Sequence, residues 1–309
     1  MGRGRSLSLE GSAIDTLTII QVLVSGILLG GIYAVISIGL TMIFGVTRII
    51  NFAHGEFLML AMYGTFWLFT FYGMDPYVSL LIVTPAMFLV GLLAQWSVIQ
   101  PILGAAPLMQ IFATVGLSVA MQNAALLVWH ADYRTVRTSY STSVLEVGGL
   151  LVSTPRLAAF GVAVLMAVGF FLLFKYTYLG KALRAVAQDR RSAMLMGINV
   201  ERIYLLSFGI GTACVGVAGA MLMPMYYTFP TVGTYFVLTA FVVVVLGGMG
   251  SMTGACVGGL IIGVIEAFSG FLIAPALKEA VYFVIFILML LFRPWGLFGQ
   301  RGAEEVGLK

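Results

Sequence analysis

Four polar residues, Arg48, Asn51, His54 and Glu56, fall within the stretch Gly45 to Glu56, GVTRIINFAHGE, between two strongly apolar runs. An ionisable group at membrane depth is a functional candidate by default, because an unpaired charge is costly there. His54 and Glu56 have the HxE spacing of zinc deaminases, but that chemistry needs a later PCxxC pair of metal ligands, and the chain has none. What remains is binding or gating. Asn51, His54 and Glu56 could meet a ligand at the membrane midplane. They could instead form a turn at the cytoplasmic edge, with Glu56 favoured near a helix N-terminus. The expectation carried forward is an interfacial turn that also gates.

A second candidate is Gly247 to Gly254, GGMGSMTG. Gly247, Gly248 and Gly250 interrupt the helical pattern, and irregular backbone at membrane depth is tolerated only when buried in protein or facing a water-filled cavity. A phosphate-cradling loop is excluded, since GxxxxGK[ST] is absent and no lysine lies nearby. These glycines are therefore expected to help form an inner gate beside Asn51, His54 and Glu56. Glu266, in the next apolar run, is expected to pair with Lys278 near the outer face. No nucleophile-and-base set supports an intramembrane hydrolase, so no catalytic and no metal-binding residue is assigned.

The third candidate is the longest polar interruption, Lys175 to Arg202, KYTYLGKALRAVAQDRRSAMLMGINVER, which holds six of the sixteen Lys and Arg residues. Asp189 can cap the N–H groups that open a helix, Arg190 to Met196 can make about two turns, and Gly197 can supply a left-handed exit. Apolar Ala193, Leu195 and Met196 beside charged Arg190 and Arg191 suit a short helix pressed into a groove on another protein. The same residues also suit an ordinary positive-inside loop containing some helix.

The elements that position these groups follow from composition. Hydrophobic residues make up 61% of the 309 and charged residues 9%, against roughly 45–50% and about 25% in soluble domains. This predicts an all-α integral membrane protein, a polytopic bundle of about eight to nine transmembrane helices with broken or re-entrant segments, forming one domain over 1–309. The net charge of +4 reflects loop topology and implies no nucleic acid. Cys214 and Cys256 lie in apolar runs and read as small core residues.

The expected spans are 17–46, 57–71, 77–99, 108–129, 155–174, 204–223, 236–246, 255–271 and 279–292. Gly26, Gly30 and Ala34 make a small-residue stripe in the first, and Gly254, Gly258, Gly259 and Gly263 extend one into the eighth. Gln110, Gln122 and Asn123 in the fourth suit hydrogen bonds between helices. Tyr133, Thr135 and Val136, in a polar segment over 130–154, suggest a small hairpin outside the membrane. With 175–202 in the cytoplasm, nine spans put the N-terminus and 130–154 outside. Arg3 and Arg5 run against that orientation, so eight spans with Gly45 to Phe71 re-entrant is the alternative.

The chain resembles the membrane subunits of bacterial ABC importers of the branched-chain amino-acid permease family, which includes relatives for urea and amides. The resemblance is collinear over nearly the whole chain. It rests on GGIYAVISIGLTMIFGVTRIINFAHGEF, IFATVGLSVAMQN, YLGKALRAVAQDRRSAMLMGIN, VVVVLGGMGSMTGACVGGLIIGVIEA and RPWGLFG. It implies a permease in the bacterial inner membrane that pairs with a second permease subunit, a paralogue or the same chain. Two cytoplasmic ATP-binding subunits would carry the ATP and magnesium, so no cofactor is expected on this chain, and a periplasmic solute-binding protein would feed it. The central loop would supply the coupling helix, with Gly180, Ala185, Asp189, Ala193 and Gly197 on the family motif. Gln100-Pro101 stands where the family often has Arg-Pro. A self-contained channel or proton-coupled carrier is the rival reading.

Overall fold

In hydrocarbon each backbone N–H and C=O needs an internal partner, so so apolar a chain must be helical wherever it meets lipid. The computed structural model describes residues 16–299; Arg3 and Arg5, which run against the expected orientation, lie outside them. The first helix, α1 (Thr16–Thr47), is 32 residues long, about 48 Å at 1.5 Å per residue. It is followed by α2 (His54–Tyr72) and α3 (Pro76–Ala94); α3 runs through a π-helical turn, Gln95–Ile99, into α4 (Gln100–Ile102). Next come α5 (Pro107–Trp129), the hairpin β1 (Val144–Val147) and β2 (Leu150–Ser153), α6 (Thr154–Tyr176), α7 (Tyr178–Gln188) and α8 (Arg190–Leu195). The chain closes with α9 (Val200–Leu222), α10 (Val232–Gly247), α11 (Met252–Leu272) and α12 (Lys278–Phe292).

Among the described residues, seven helical segments are long and apolar enough to cross a membrane, and α10 is a shorter apolar helix. With α2, whose first turn is polar, they correspond to the nine apolar runs of the sequence. The boundaries follow local chemistry. Asp75 accepts from the Tyr77 N–H at 2.8 Å and Pro76 opens α3; Asn199 caps α9 and Ser251 caps α11. Gly73, at φ +63°, ends α2 in the left-handed region.

The centre of the bundle is α1, buried almost throughout from Gly26 onward, packed on α9 and α11. The two small-residue stripes meet each other. A Cβ on Gly30 would stand 2.7 Å from the Leu260 Cα, and one on Gly259 would stand 2.6 Å from the Ala34 nitrogen. Backbones this close gain dispersion contacts that larger residues would forbid, and in lipid such packing is a main source of helix association. At the periphery, α5 buries only Thr114 and Ala125, and α6 only Pro155, Ala159 and Ala163.

Two expectations change. The hairpin lies at Val144–Val147 and Leu150–Ser153, turning on Gly148 and Gly149 at φ +60° and +83°, rather than at Tyr133 to Val136. Only glycine takes those conformations freely; Arg134 instead forms a single bridge with Thr228. The link between the third and fourth spans is also shorter than QPILGAAP, because the helix continues to Ile102. Gln110 then closes the turn by donating to the carbonyls of Ile102, Leu103 and Ala105.

The α1–α11 contact makes a direct prediction. Gly259→Val should lower the thermal midpoint of the detergent-purified protein by an amount equivalent to about 1–3 kcal/mol of overpacking. Gly270→Ala on the same helix, where a Cβ meets open space, should leave the midpoint within about 0.5 kcal/mol of wild type. Equal midpoints for both variants would contradict the close packing.

Candidate functional site

The segment joining α1 to α2 does not stay at the end of the bundle. At Thr47 the helix stops, Arg48 takes φ +61°, and its guanidinium donates to the Ala187 carbonyl at 2.9 Å, holding this point to the end of α7. The chain then turns inward. Thr114 donates to the Ile50 carbonyl at 3.0 Å, and Asn51 accepts from the Ala53 N–H at 3.1 Å. His54 Nε2 lies 3.0 Å from the Ile36 carbonyl. A carbonyl only accepts, so that ring nitrogen carries the hydrogen. Ile36 stands 11 residues (47 − 36) before the end of α1, about 16 Å up the helix. Residues 48–53 are non-helical and close in a turn, the His54 N–H donating to the Asn51 carbonyl at 3.3 Å, so the chain has come back beside α1 before α2 begins.

The cytoplasmic-edge expectation is therefore replaced by a polar site at mid-bundle. Asn51, His54 and Glu56 are all fully buried. Among the described residues, Asn51 Nδ2, His54 Nδ1 and Glu56 Oε2 find no hydrogen-bond partner. Glu56 Oε1 accepts from Gln122 Nε2 at 2.7 Å and from Ser118 at 3.1 Å, and Gln122 also donates to Thr234 at 3.1 Å. The backbones of Gly55 and Gly233 touch, which brings the start of α10 against the start of α2. Gln122 read as inter-helix glue in the sequence, and its i, i+4 relation to Ser118 places both on one face of α5. Nothing in the linear order pointed to Thr234. Asn123, the other amide, bonds only within its own helix, to the Val119 carbonyl.

Gly247, Gly248 and Gly250 form a separate feature. Gly248 and Gly250 have φ +104° and +87°, and a Cβ on Gly248 would meet the Gly299 Cα at 2.7 Å. The segment after α12 closes over this break, with the Leu297 and Phe298 N–H groups donating to the Leu246 and Gly247 carbonyls at 2.8 and 2.9 Å. Glu56 meets the opposite end of α10, at Gly233; Gly247 is 14 residues (247 − 233) further along, about 21 Å away along the axis. The expected single gate is thus two sites on different levels.

Glu266 pairs with Lys278 at 2.7 Å and accepts from Tyr33 at 2.6 Å, which ties α1, α11 and α12 together. This pairing was expected; the tyrosine was not.

The connection between α6 and α9 has the capped form read from the sequence. Asp189 accepts from the Arg191 and Ser192 N–H groups at 2.8 and 3.3 Å and from the Ser192 hydroxyl at 2.6 Å. The hydroxyl first, then the two N–H groups, hold its carboxyl below the usual carboxylate value. The cap is therefore intact above that value and lost as pH falls through the lowered one. Gly197 leaves at φ +81°. Gly180 lets α7 approach α6, since a Cβ there would meet the Phe174 Cα at 2.5 Å, and Ala185 is half-buried. Ala193 is a correction: it is buried, with α8 packed on α7 and α9, rather than presented outward. Arg190 lies over the Tyr204 ring at 5.6 Å, whereas Leu195 and Met196 are 88% and 82% exposed.

A bundle of membrane-crossing helices with polar groups at its middle and a capped helical connection at one end is that of a multi-pass membrane protein. Residues 22–290 match the family described as branched-chain amino acid transport system, permease component. The chain belongs to that family. It is 34% identical over 303 residues to the high-affinity branched-chain amino acid transport system permease protein BraD of Pseudomonas aeruginosa, covering 93% of this chain and 98% of the relative. It is 32% identical to the corresponding permease protein LivH of Salmonella typhimurium and of Escherichia coli, covering 93% of this chain and 97% of each relative. No solved structure matches it. The chain is thus a multi-pass inner-membrane permease component of an ABC transport system, one that works with ATP-binding and solute-binding components.

Removing one partner of the buried ion pair should cost more than removing both. Lys278→Met alone leaves Glu266 uncompensated and should destabilise by about 1–3 kcal/mol, discounted for the partial exposure of the lysine. The double variant Glu266→Gln, Lys278→Met should recover part of that loss. Thermal unfolding of wild type and these two variants in one detergent checks this, and a double variant less stable than Lys278→Met contradicts it.

Proposed function

We propose that this chain is one half of the membrane pathway of an ABC importer for branched-chain amino acids. In this reading it pairs with a second permease subunit, is driven by two cytoplasmic ATP-binding subunits, and receives substrate from a periplasmic solute-binding protein. Residues 175–202 form its cytoplasmic coupling loop, and 130–154 lie on the periplasmic side. The observation that carries the reading is α8. A six-residue helix is too short to persist alone in water, yet this one is fixed by the Asp189 cap and by Ala193 in the bundle, and it holds Leu195 and Met196 in the open. Side chains of that kind, held rigidly, are what a docking groove on another protein engages.

Arg48 and Arg293 lie at the same end as the six basic residues of 175–202, which supports the cytoplasmic side for that end. The substrate class follows that of the relatives BraD and LivH. ATP-driven closure of docked ATPases supplies the differential interaction that alternating access requires.

The test is ATP-dependent uptake in proteoliposomes holding the chain with its ATPases, second permease and binding protein. Leu195→Glu, Met196→Glu removes two exposed anchors; at about 2 kcal/mol or more for a docking hot spot, uptake should fall more than tenfold. The ATPases should be released while the permease stays folded. Uptake that persists without ATP or without ATPases would make the chain a channel or secondary carrier.

A further inference from the structure

Among the described residues two acids are buried, Glu56 and Glu266, and they are treated differently. Glu266 has the Lys278 ammonium at 2.7 Å. Glu56 has no cation among the described residues: the bonds it accepts come from the neutral groups Gln122 and Ser118, and Oε2 accepts none. A carboxylate placed among apolar helices and left one bond short is a site built for a positive group that comes and goes.

The surroundings show where that group would enter. Gln122 stands between Glu56 and a cavity of about 220 Å³ that it lines together with Asn123, Leu126, Tyr133, Phe229 and Thr231. This is smaller than the roughly 300–1,000 Å³ of drug-sized ligand pockets, and it suits a small metabolite. Its lining is polar at the two amides and Thr231 and apolar at Leu126, Tyr133 and Phe229. The cavity opens on the face of α5 that the rest of the chain leaves uncovered.

We propose that Glu56 reads the ammonium group of the transported amino acid, with Gln122 as the movable cover and the apolar side of the cavity receiving the branched side chain. The proposal rests on the permease reading above and names the substrate contact within it. Gln122 supplies one N–H to Glu56 Oε1. An ammonium carries three, so on displacing Gln122 it meets Oε1 and also the unused Oε2, a charge-assisted pairing stronger than the neutral one it replaces. The freed amide then turns its carbonyl toward the cationic end of the ligand. Such a site recognises the amine half of a zwitterion rather than the carboxylate half.

The assembled complex in nanodiscs, without the solute-binding protein, separates the two halves. Ligand-observed NMR would compare leucine with isoamylamine, which lacks the carboxylate, and isocaproate, which lacks the ammonium. In the wild-type complex isoamylamine should bind and displace leucine while isocaproate does neither. Glu56→Gln should weaken isoamylamine binding by about tenfold or more, the scale of a lost charge pairing, and Glu56→Asp should retain part of it. Isocaproate binding as well as isoamylamine in wild type overturns the proposal, and this comparison decides even where Glu56→Gln does not assemble. Unchanged isoamylamine binding in an assembled Glu56→Gln complex overturns it too. If the wild-type complex with its binding protein shows no ATP-driven uptake of leucine, isoleucine or valine, the permease reading itself falls. If uptake is normal but the analogues bind alike, only the role of Glu56 falls.

Discussion

The contact between α1 and α11 is the one on which the other placements depend. Glycine on both helices lets their backbones touch, and this fixes α1 as the wall against which the rest is set. Tyr33 on α1 reaches Glu266 on α11 because the helices are that close. Ile36, three residues further along α1, presents the carbonyl that holds His54. Apolar burial gives little preference between helices in lipid, since the surrounding chains are as apolar as leucine. Backbone proximity and buried polar contacts must supply the specificity instead.

That wall permits the unusual course of residues 48–53. Irregular chain at mid-bundle leaves N–H and C=O groups without helical partners, which is tolerable only when enclosed by protein. Here Thr114 of α5 serves the Ile50 carbonyl, Asn51 serves the Ala53 N–H, and Phe241 of α10 packs on Phe52. The consequence is chemical. Starting α2 in the middle of the bundle puts its polar first turn, His54 to Glu56, where an ordinary spanning helix would be apolar.

Much of this was legible in the sequence. The apolar runs gave the helices, the glycine spacing gave the α1 and α11 faces, and Asp189 with Gly197 gave the bounds of α8. These are local signals, set by side-chain volume, caps and backbone freedom within a few residues. The depth of Glu56 was not legible, because GVTRIINFAHGE reads equally as a surface turn and as a re-entrant segment until the walls around it are known. Nor was the burial of Ala193, since a helix of about two turns has no periodicity to say which face turns inward. Thr234 joins Gln122 across 112 (234 − 122) positions of sequence and Tyr33 joins Glu266 across 233 (266 − 33), separations that no motif encodes.

The same contacts form a continuous path from the α8 end to the polar site. Ala193 of α8 packs in one cluster with Val186 of α7 and with Met42 and Val46 of α1. Arg48, just beyond α1, is bonded to Ala187 of α7. From Arg48 the chain runs through the short non-helical segment 48–53 to His54 and Glu56, with no intervening helix. A shift of α7 and α8 would pull on the first residue of this segment, and its last residues hold the polar groups beside Gln122. Contiguity is not itself coupling, which requires two states that both ends bias. Gln122 provides such an element, because its amide either covers Glu56 or yields to a stronger partner, and those arrangements differ by which group satisfies a buried charge.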